Sequence, residues 1–219
     1  MIIGATPETD YQLVSVAEAN ALLGSNRSGR MQREIVDCVT DPENGVRGSA
    51  AEFFNFTNDL LTLRSTFLAF EVCRYALKLY PCNVDLLANT IHAASSSGLF
   101  AEAEPYIETA LRIPRKFWKW QMYLFLTEYY ERYADCCEIG EREAALDKAF
   151  EMVDAYIAVL PLDERAYNKK AELYLKSSRV AEARECLERA IFGTVEVDGV
   201  RVKPVARQCC GTYLNEILA

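Results

Sequence analysis

Apolar and small residues recur through the middle of the chain at spacings of three and four positions, which is the pattern of α-helices that bury one face. The segment AFEVCRYALKLYP, from Ala69 to Pro81, is one example. Similar segments follow as AEPYIETALRIP from Ala103 and ARECLERAIFG from Ala183. The recurring alanines predict helices that cross closely, because a small side chain lets two backbones approach each other.

The segments recur at a fixed step. Three pairs of residues lie 34 positions apart: Ala69 and Ala103, Cys73 and Ile107, and Ala76 and Ala110. A 34-residue period with small residues at fixed points is typical of repeated helix-turn-helix units. Each unit buries its remaining apolar stripe against the next, so the pattern predicts a stack of helical pairs.

On these residues the chain resembles the tetratricopeptide repeat (TPR) family. The best match is AYNKKAELYLKSSRVAEARECLERAI, from Ala166, and ALKLYP, from Ala76 to Pro81, matches the closing residues of a repeat. The resemblance covers about residues 49–193 and four helical pairs. It implies an all-α fold, a right-handed α–α solenoid of TPR-like helical pairs. The residues of the best match that stand in the family's order are Tyr167, Ala171, Tyr174, Ala183, Leu187 and Ala190.

The third pair departs from the period. The distance from Trp120 to Tyr167 is 47 residues, so an insertion or extended helices are expected near residues 134–143.

The segments that flank the repeats lack the small-residue pattern that the repeats share. Residues 1–48 are predicted to form an N-terminal helical cap and a loop, with two short helices between residues 13 and 40. Residues 194–219 are predicted to form a β-hairpin around Asp198-Gly199 and a capping helix that begins at Pro204. We expect the three segments to form one continuous domain.

Composition narrows the classes of partner. The formal net charge is −8, which opposes general binding to nucleic acid or to an anionic membrane. No apolar run reaches the roughly 18 residues that span a bilayer, and the N-terminus has no basic signal-peptide region. The eight cysteines form no C-x-x-C pair, so we expect them to be reduced, without metal, in a cytoplasmic protein.

The sequence offers little for catalysis. His92 is the single histidine, and no nucleophile elbow, Walker loop or dinucleotide-binding glycine motif is present. We therefore expect no enzyme activity and no cofactor. A redox role of Cys136-Cys137, or an enzyme that uses Cys136 or His92, is the alternative.

Candidate binding residues follow from the resemblance, which places the first helix of each pair on the concave surface. Asn58 and His92 stand at equivalent positions 34 residues apart. Amide and imidazole groups there suit the backbone or the terminus of a bound peptide; the alternative is that they are simply solvated helix positions. Phe54, Asn89, Ser95 and Ser96 are expected on the same surface, and the full set of predicted partner-binding residues is Phe54, Asn58, Asn89, His92, Lys119 and Tyr123.

A second interpretation of these residues is the two-carboxylate clamp with which some TPR domains hold acidic C-terminal tails of chaperones. Asn58, Asn89 and Lys119 have the separations of that clamp, 31 and 30 residues. Phe54 and Tyr123 stand where the clamp has a lysine and an arginine. Two of its three cations are thus missing.

The predicted function is a non-catalytic adaptor or scaffold that binds a protein or peptide in its groove. The alternative is a self-associating module, a homodimer formed through the aromatic helix at residues 117–130 or through an end cap. The segment from Arg112 to Leu126 mixes basic and aromatic residues, a composition that can bind a nucleic acid strand. Its aromatic residues stand at helical spacing, however, so core packing explains most of the pattern and nucleic acid is the less favoured partner.

Overall fold

The computed structural model of the protein describes residues 47–197 and 199–202. This part of the chain is dominated by α-helices, each of which begins soon after the preceding one ends. The elements are α1 (Ala50–Thr62), α2 (Thr66–Leu79), α3 (Val84–Ser96), α4 (Phe100–Arg112), a 3₁₀ turn (Arg115–Phe117), α5 (Trp120–Cys136), α6 (Ile139–Val159), α7 (Glu164–Lys176), α8 (Val180–Phe192), β1 (Val195–Val197) and β2 (Val200–Val202).

The helices pack in the order of the chain. The protein divides into two units, Met1–Phe117 and Trp118–Ala219. In the first unit α1 packs on α2, α2 on α3 and α3 on α4, and α1 also contacts α3. In the second unit α5 to α8 follow the same order, with α5 also contacting α7. The predicted all-α fold built of consecutively packed helices is confirmed.

Three helices begin at a residue whose side chain caps the first turn. Ser49 and Glu52 form a reciprocal capping box at α1, and Asn83 Oδ1 accepts a hydrogen bond from Leu86 N of α3 at 3.0 Å. Asp163 caps α7 in the same way. Each cap gives a partner to an N–H group that the helix itself leaves unpaired.

Three of the four turns within helical pairs share one backbone geometry. The second residue after the helix adopts a positive φ at Arg64 (57°), Gly98 (73°) and Ser178 (59°). The following N–H then donates back to the last turn, which gives the same helix ending three times. These bonds are Ser65 N to Leu60 O, Leu99 N to Ala94 O and Arg179 N to Tyr174 O, at 2.8–2.9 Å.

The connections between pairs are more variable. After α2 and after α6 the chain passes through a proline, Pro81 or Pro161, and reaches the N-cap of the next helix two residues later. After α4 the backbone is extended at Ile113 and a 3₁₀ turn follows before α5. The regular connection is therefore replaced at the point where the first unit ends.

The extra residues of the third pair lengthen its helices. Helices α5 and α6 have 17 and 21 residues, whereas α3, α4, α7 and α8 have 13 each. Only Cys137 and Glu138 separate α5 from α6. Of the two arrangements expected near residues 134–143, the structure thus has extended helices.

The repeated small residues lie at the helix contacts. Ala69, Ala76, Ala103 and Ala110 of the first unit have no exposed surface. In the second unit the residues that carry the family resemblance pack together: Tyr167, Ala171, Ala183, Leu187 and Ala190 form one buried cluster with Cys186, and Tyr174 packs against it.

Strands β1 and β2 pair antiparallel, with Val197 opposite Val200. Gly199 in the turn has a φ of 78°, which favours glycine. The predicted N-terminal helices and the helix predicted from Pro204 lie outside the described residues.

No helix that the structure describes has the length and apolar character needed to cross a membrane.

Enlarging a packing alanine should destabilise the first unit. Ala110 has no exposed surface, whereas Ala101, in the same helix α4, is exposed. Ala110→Leu should lower the free energy of unfolding by about 1–3 kcal/mol, because the added carbons must displace packed neighbours. Ala101→Leu is the matched control and should change it by less than about 0.5 kcal/mol. Urea denaturation measures both; equal losses would show that the two positions are not packed differently.

Candidate functional site

Two of the predicted binding residues meet across helices α1 and α3. Phe54 and Asn58 lie one turn apart on α1, and both are half-buried, as is His92 on α3. Asn89, one turn before His92, is buried. Its side chain reaches α1, where Nδ2 donates to Asn58 Oδ1 at 3.0 Å.

The hydrogen bonds around Asn89 have a fixed direction. Thr57 Oγ1 donates to the carbonyl oxygen of Phe54 at 3.0 Å, so it can only accept from Asn89. Asn89 Nδ2 is 2.8 Å from Thr57 Oγ1. The NH₂ group of Asn89 must therefore face α1, and the group of Asn58 that accepts from it must be the carbonyl oxygen.

This order of donors and acceptors determines what Asn58 can offer a ligand. Its oxygen accepts from Asn89 and keeps one lone pair, whereas its NH₂ takes no part in that bond and can donate to an external partner. The side chain is also held in place by a buried neighbour. Asn58 is therefore a positioned donor at a half-buried surface.

Cys73 adds a thiol to the same interior. It has no exposed surface, and Thr57 of α1 and Thr90 of α3 are its hydrogen-bonding neighbours. Burial raises the pKa of the Cys73 thiol to about 12, although the two hydroxyls act in the opposite direction. The thiol stays protonated at neutral pH and is a packing group of the α1–α2–α3 contact.

The remaining predicted residues are placed differently. Ser95 is buried and Ser96 is exposed at the end of α3. Lys119, at the N-cap of α5 in the second unit, is exposed. Tyr123 has no exposed surface and stacks on Tyr156, with ring centroids 5.8 Å apart. Its ring is part of the core of the second unit.

The second unit contains a buried ionic network that the sequence did not reveal. Glu131 of α5 is 5% exposed. It lies 2.6 Å from Lys169 Nζ and 2.9 Å from Lys176 Nζ, both on α7. Glu172 extends the chain of alternating charges beyond Lys169, and Asp135 extends it beyond Lys176.

The network keeps its lysines charged. Burial alone would lower the pKa of Lys169, but the ion pairs with Glu131 and Glu172 outweigh it and place that pKa above the ordinary value. The pKa of Lys176 is raised against burial in the same way, by Asp135 and Glu131. A protonated lysine cannot act as a base, so the network is suited to joining α5 to α7 rather than to catalysis.

A second contact joins the same two helices near their N-termini. The Arg165 guanidinium lies 3.7 Å from the centre of a Trp120 ring and is held by Asp163. Tyr156 Oη donates to Asp163 Oδ2 at 2.9 Å. Burial and this hydrogen bond raise the pKa of Tyr156, so the phenol remains a donor at neutral pH.

The aromatic helix presents less surface than its sequence suggests. Trp118, Tyr129 and Tyr130 are buried, and only Phe117, which precedes α5, is more than half exposed, at 58%. The aromatic residues between 117 and 130 therefore mostly form the core of the second unit.

Two arrangements thus stand out, the half-buried α1–α3 face and the buried Glu131 network. No group of metal-binding residues is present in the part of the chain that the structure describes. No protein-family model matches the chain, and a search of the curated proteins found no match. In the Glu131 network the half-exposed members, Lys176 and Asp135, are paired with each other, whereas the α1–α3 face holds an amide donor at a half-buried surface.

Removing the charge of Glu131 should destabilise the second unit strongly. In Glu131→Gln the ammonium groups of Lys169 and Lys176 lose their shared partner but keep Glu172 and Asp135, so the loss should be about 1.5–3 kcal/mol, as for hydrogen bonds to charged groups. The matched control is Glu188→Gln, which breaks the exposed pair with Arg184 on α8 and should cost less than about 1 kcal/mol. Chemical denaturation at pH 7 gives both values.

The same effect should depend on pH. The pKa of Lys169 is raised in the folded state, so its stabilisation is complete below the unfolded value of about 10.4 and is lost as pH rises through the folded value. The difference in stability between wild type and Glu131→Gln should therefore shrink above about pH 10.4. A difference independent of pH up to 11 would contradict the ionic account.

Proposed function

We propose that the protein is a non-catalytic binding module, a cytoplasmic adaptor that holds a peptide or protein segment on the α1–α3 face. The observation that carries the proposal is the orientation of Asn58, whose NH₂ is positioned at a half-buried surface by the buried amide of Asn89. The architecture that we propose for it is a right-handed TPR-like solenoid with an N-terminal helical cap and a C-terminal hairpin and helix.

Three features support a TPR-like architecture. The small residues that recur at the 34-residue step are buried, as Ala76 and Ala110 show. Three of the four turns within pairs repeat one left-handed geometry, and Arg64 and Gly98 in these turns are also 34 residues apart. The consecutive packing of helices within each unit is the packing that such repeats require.

The chemistry of the face favours a ligand rich in acceptors. Asn58 offers a donor, and Phe54 beside it offers apolar surface. A peptide in extended conformation carries a carbonyl oxygen at every residue, so it can meet this donor without a particular sequence. Because Asn58 is already held by Asn89, little side-chain freedom is lost on binding.

Only some of the other predicted residues take part in this proposal. His92, half-buried on α3, is a second contact on the face. Asn89 positions Asn58 and does not itself meet the ligand, since it is buried. Lys119, which is exposed, and Tyr123, which is buried, belong to the second unit, and the proposal for the α1–α3 face does not use them.

The test is a change of Asn58 that keeps its acceptor and removes its donor. Peptides that bind the wild-type protein are first selected from a random displayed library. Their affinity for each variant is then measured by calorimetry. Asn58→Asp still accepts from Asn89 but can no longer donate, so binding should weaken by about tenfold or more, as expected when a donor is replaced by a charge that repels acceptors. Asn58→Ala should weaken binding several-fold, the loss of one neutral hydrogen bond.

The matched control adds the same charge elsewhere on the helix. Asn55 is exposed on α1, and Asn55→Asp should affect the same peptides much less than Asn58→Asp does. Full affinity of Asn58→Asp, with circular dichroism unchanged, would remove Asn58 from the site. A library that yields no binder would contradict peptide binding, and light scattering of the same sample reports whether the chain pairs with itself.

A further inference from the structure

The connection after α4 is the place where the repeated backbone pattern is broken. At the other two connections between pairs a proline stands two residues before the next N-cap, but here Ile113 is extended and Pro114 is followed by the 3₁₀ turn. Phe117 N donates to the carbonyl oxygen of Pro114 at 2.9 Å, which closes the turn. Residues 114–117 are all exposed. A defined, exposed turn of this kind is a common place for binding residues on a helical scaffold.

The turn concentrates positive charge in an acidic protein. Arg112, Arg115 and Lys116 fall within five positions that contain no carboxylate, in a chain of net charge −8. Arg112 pairs with Glu108 at 3.4 Å, but both side chains are mostly exposed. Such a pair contributes little to stability, so Arg112 can exchange Glu108 for an external carboxylate at small cost.

An exposed aromatic ring lies within the same turn. Phe117 is 58% exposed, and the ammonium of Lys116 lies 5.0 Å from the centre of its ring. Leu111, at the end of α4, is also about half exposed. Aromatic and arginine side chains are the residues most enriched in binding hot spots.

We propose that the Arg112–Phe117 turn is a docking site for a short acidic peptide segment of a partner protein, with one apolar side chain that packs on Phe117. The positive charge of the turn is complementary to carboxylates, and Phe117 gives the apolar contact. This surface is separate from the α1–α3 face and does not depend on the function proposed for that face.

The surrounding charge favours a short peptide over a nucleic acid strand. Three carboxylates on α4, those of Glu102, Glu104 and Glu108, are exposed just before the turn. Charges interact over about 8–10 Å at physiological salt. A short acidic segment can stay within reach of the three cations, whereas a long polyanion would also meet the acidic surface of the protein.

The probe is a fluorescent 12-residue peptide of Asp and Glu with one central Phe, measured by anisotropy on the full chain. We expect binding that weakens as salt rises from about 50 to 300 mM, because the contact is mainly between exposed charges. The same peptide with Asn and Gln in place of the acids should not bind. Lys116→Glu should weaken binding by about tenfold and Phe117→Ser by several-fold.

Matched variants on α2 separate the site from general charge and exposure. Lys78 is exposed in the first unit, and Phe67 is exposed to 53%, close to the value of Phe117. Lys78→Glu and Phe67→Ser should leave binding nearly unchanged. Equal losses in Lys78→Glu and Lys116→Glu, or binding that salt does not affect, would overturn the proposal.

Two further outcomes would also overturn it. Tighter binding of a 12-nucleotide oligothymidylate than of the acidic peptide, sensitive to Lys116→Glu, would assign the turn to nucleic acid. If Asn58→Asp abolishes binding of the acidic peptide and Lys116→Glu does not, the peptide binds on the α1–α3 face instead. Because the library peptides for that face are tested separately, failure of one proposal leaves the other open to its own test.

Discussion

In the first unit, the packing of α3 against α1 depends on one buried amide, that of Asn89, which needs hydrogen-bond partners. Asn89 is 1% exposed, and a buried amide without partners would cost several kcal/mol on folding. Thr57 and Asn58 on α1 supply acceptors at 2.8 and 3.0 Å. This requirement fixes how α3 lies against α1, and it also fixes the direction in which Asn58 presents its NH₂.

In the second unit, α5 and α7 are the first helices of neighbouring pairs, and ion pairs rather than amide hydrogen bonds join them. Glu131 of α5 lies between two lysines of α7, and Arg165 covers Trp120 near the other end of the same helices. Apolar packing alone is compatible with several alignments of two helices, whereas paired polar groups favour one. In both units the specific polar contacts thus run between the first helices of neighbouring pairs.

The local parts of this structure could be predicted from the sequence because local rules determine them. The 34-residue step located the helical pairs, and the caps Ser49, Asn83 and Asp163 are local as well, because each side chain bonds to the first turn of its own helix. The extra length of the third pair could be counted between Trp120 and Tyr167. The sequence could not show that these extra residues lengthen the helices, because a count of residues does not distinguish a loop from helical turns.

The polar contacts could not be predicted because they join distant residues. The repeat placed Asn89 on a first helix but did not show whether its amide faced a ligand or α1. The Glu131 network joins residues 38 and 45 positions apart across the irregular third pair, where the 34-residue step no longer aligns positions. Tyr123 was expected at the surface, yet it stands 34 positions after Asn89 and is buried as Asn89 is.

The central claim is that Asn89 and Thr57 stabilise the first unit together, and a double-mutant cycle measures this directly. Urea denaturation of Thr57→Val, Asn89→Ala and the double variant gives the coupling free energy between the two side chains. We expect the double variant to be less destabilised than the sum of the single variants by about 1 kcal/mol or more, as for residues in one hydrogen-bonded network. Effects that add to within about 0.3 kcal/mol would contradict it.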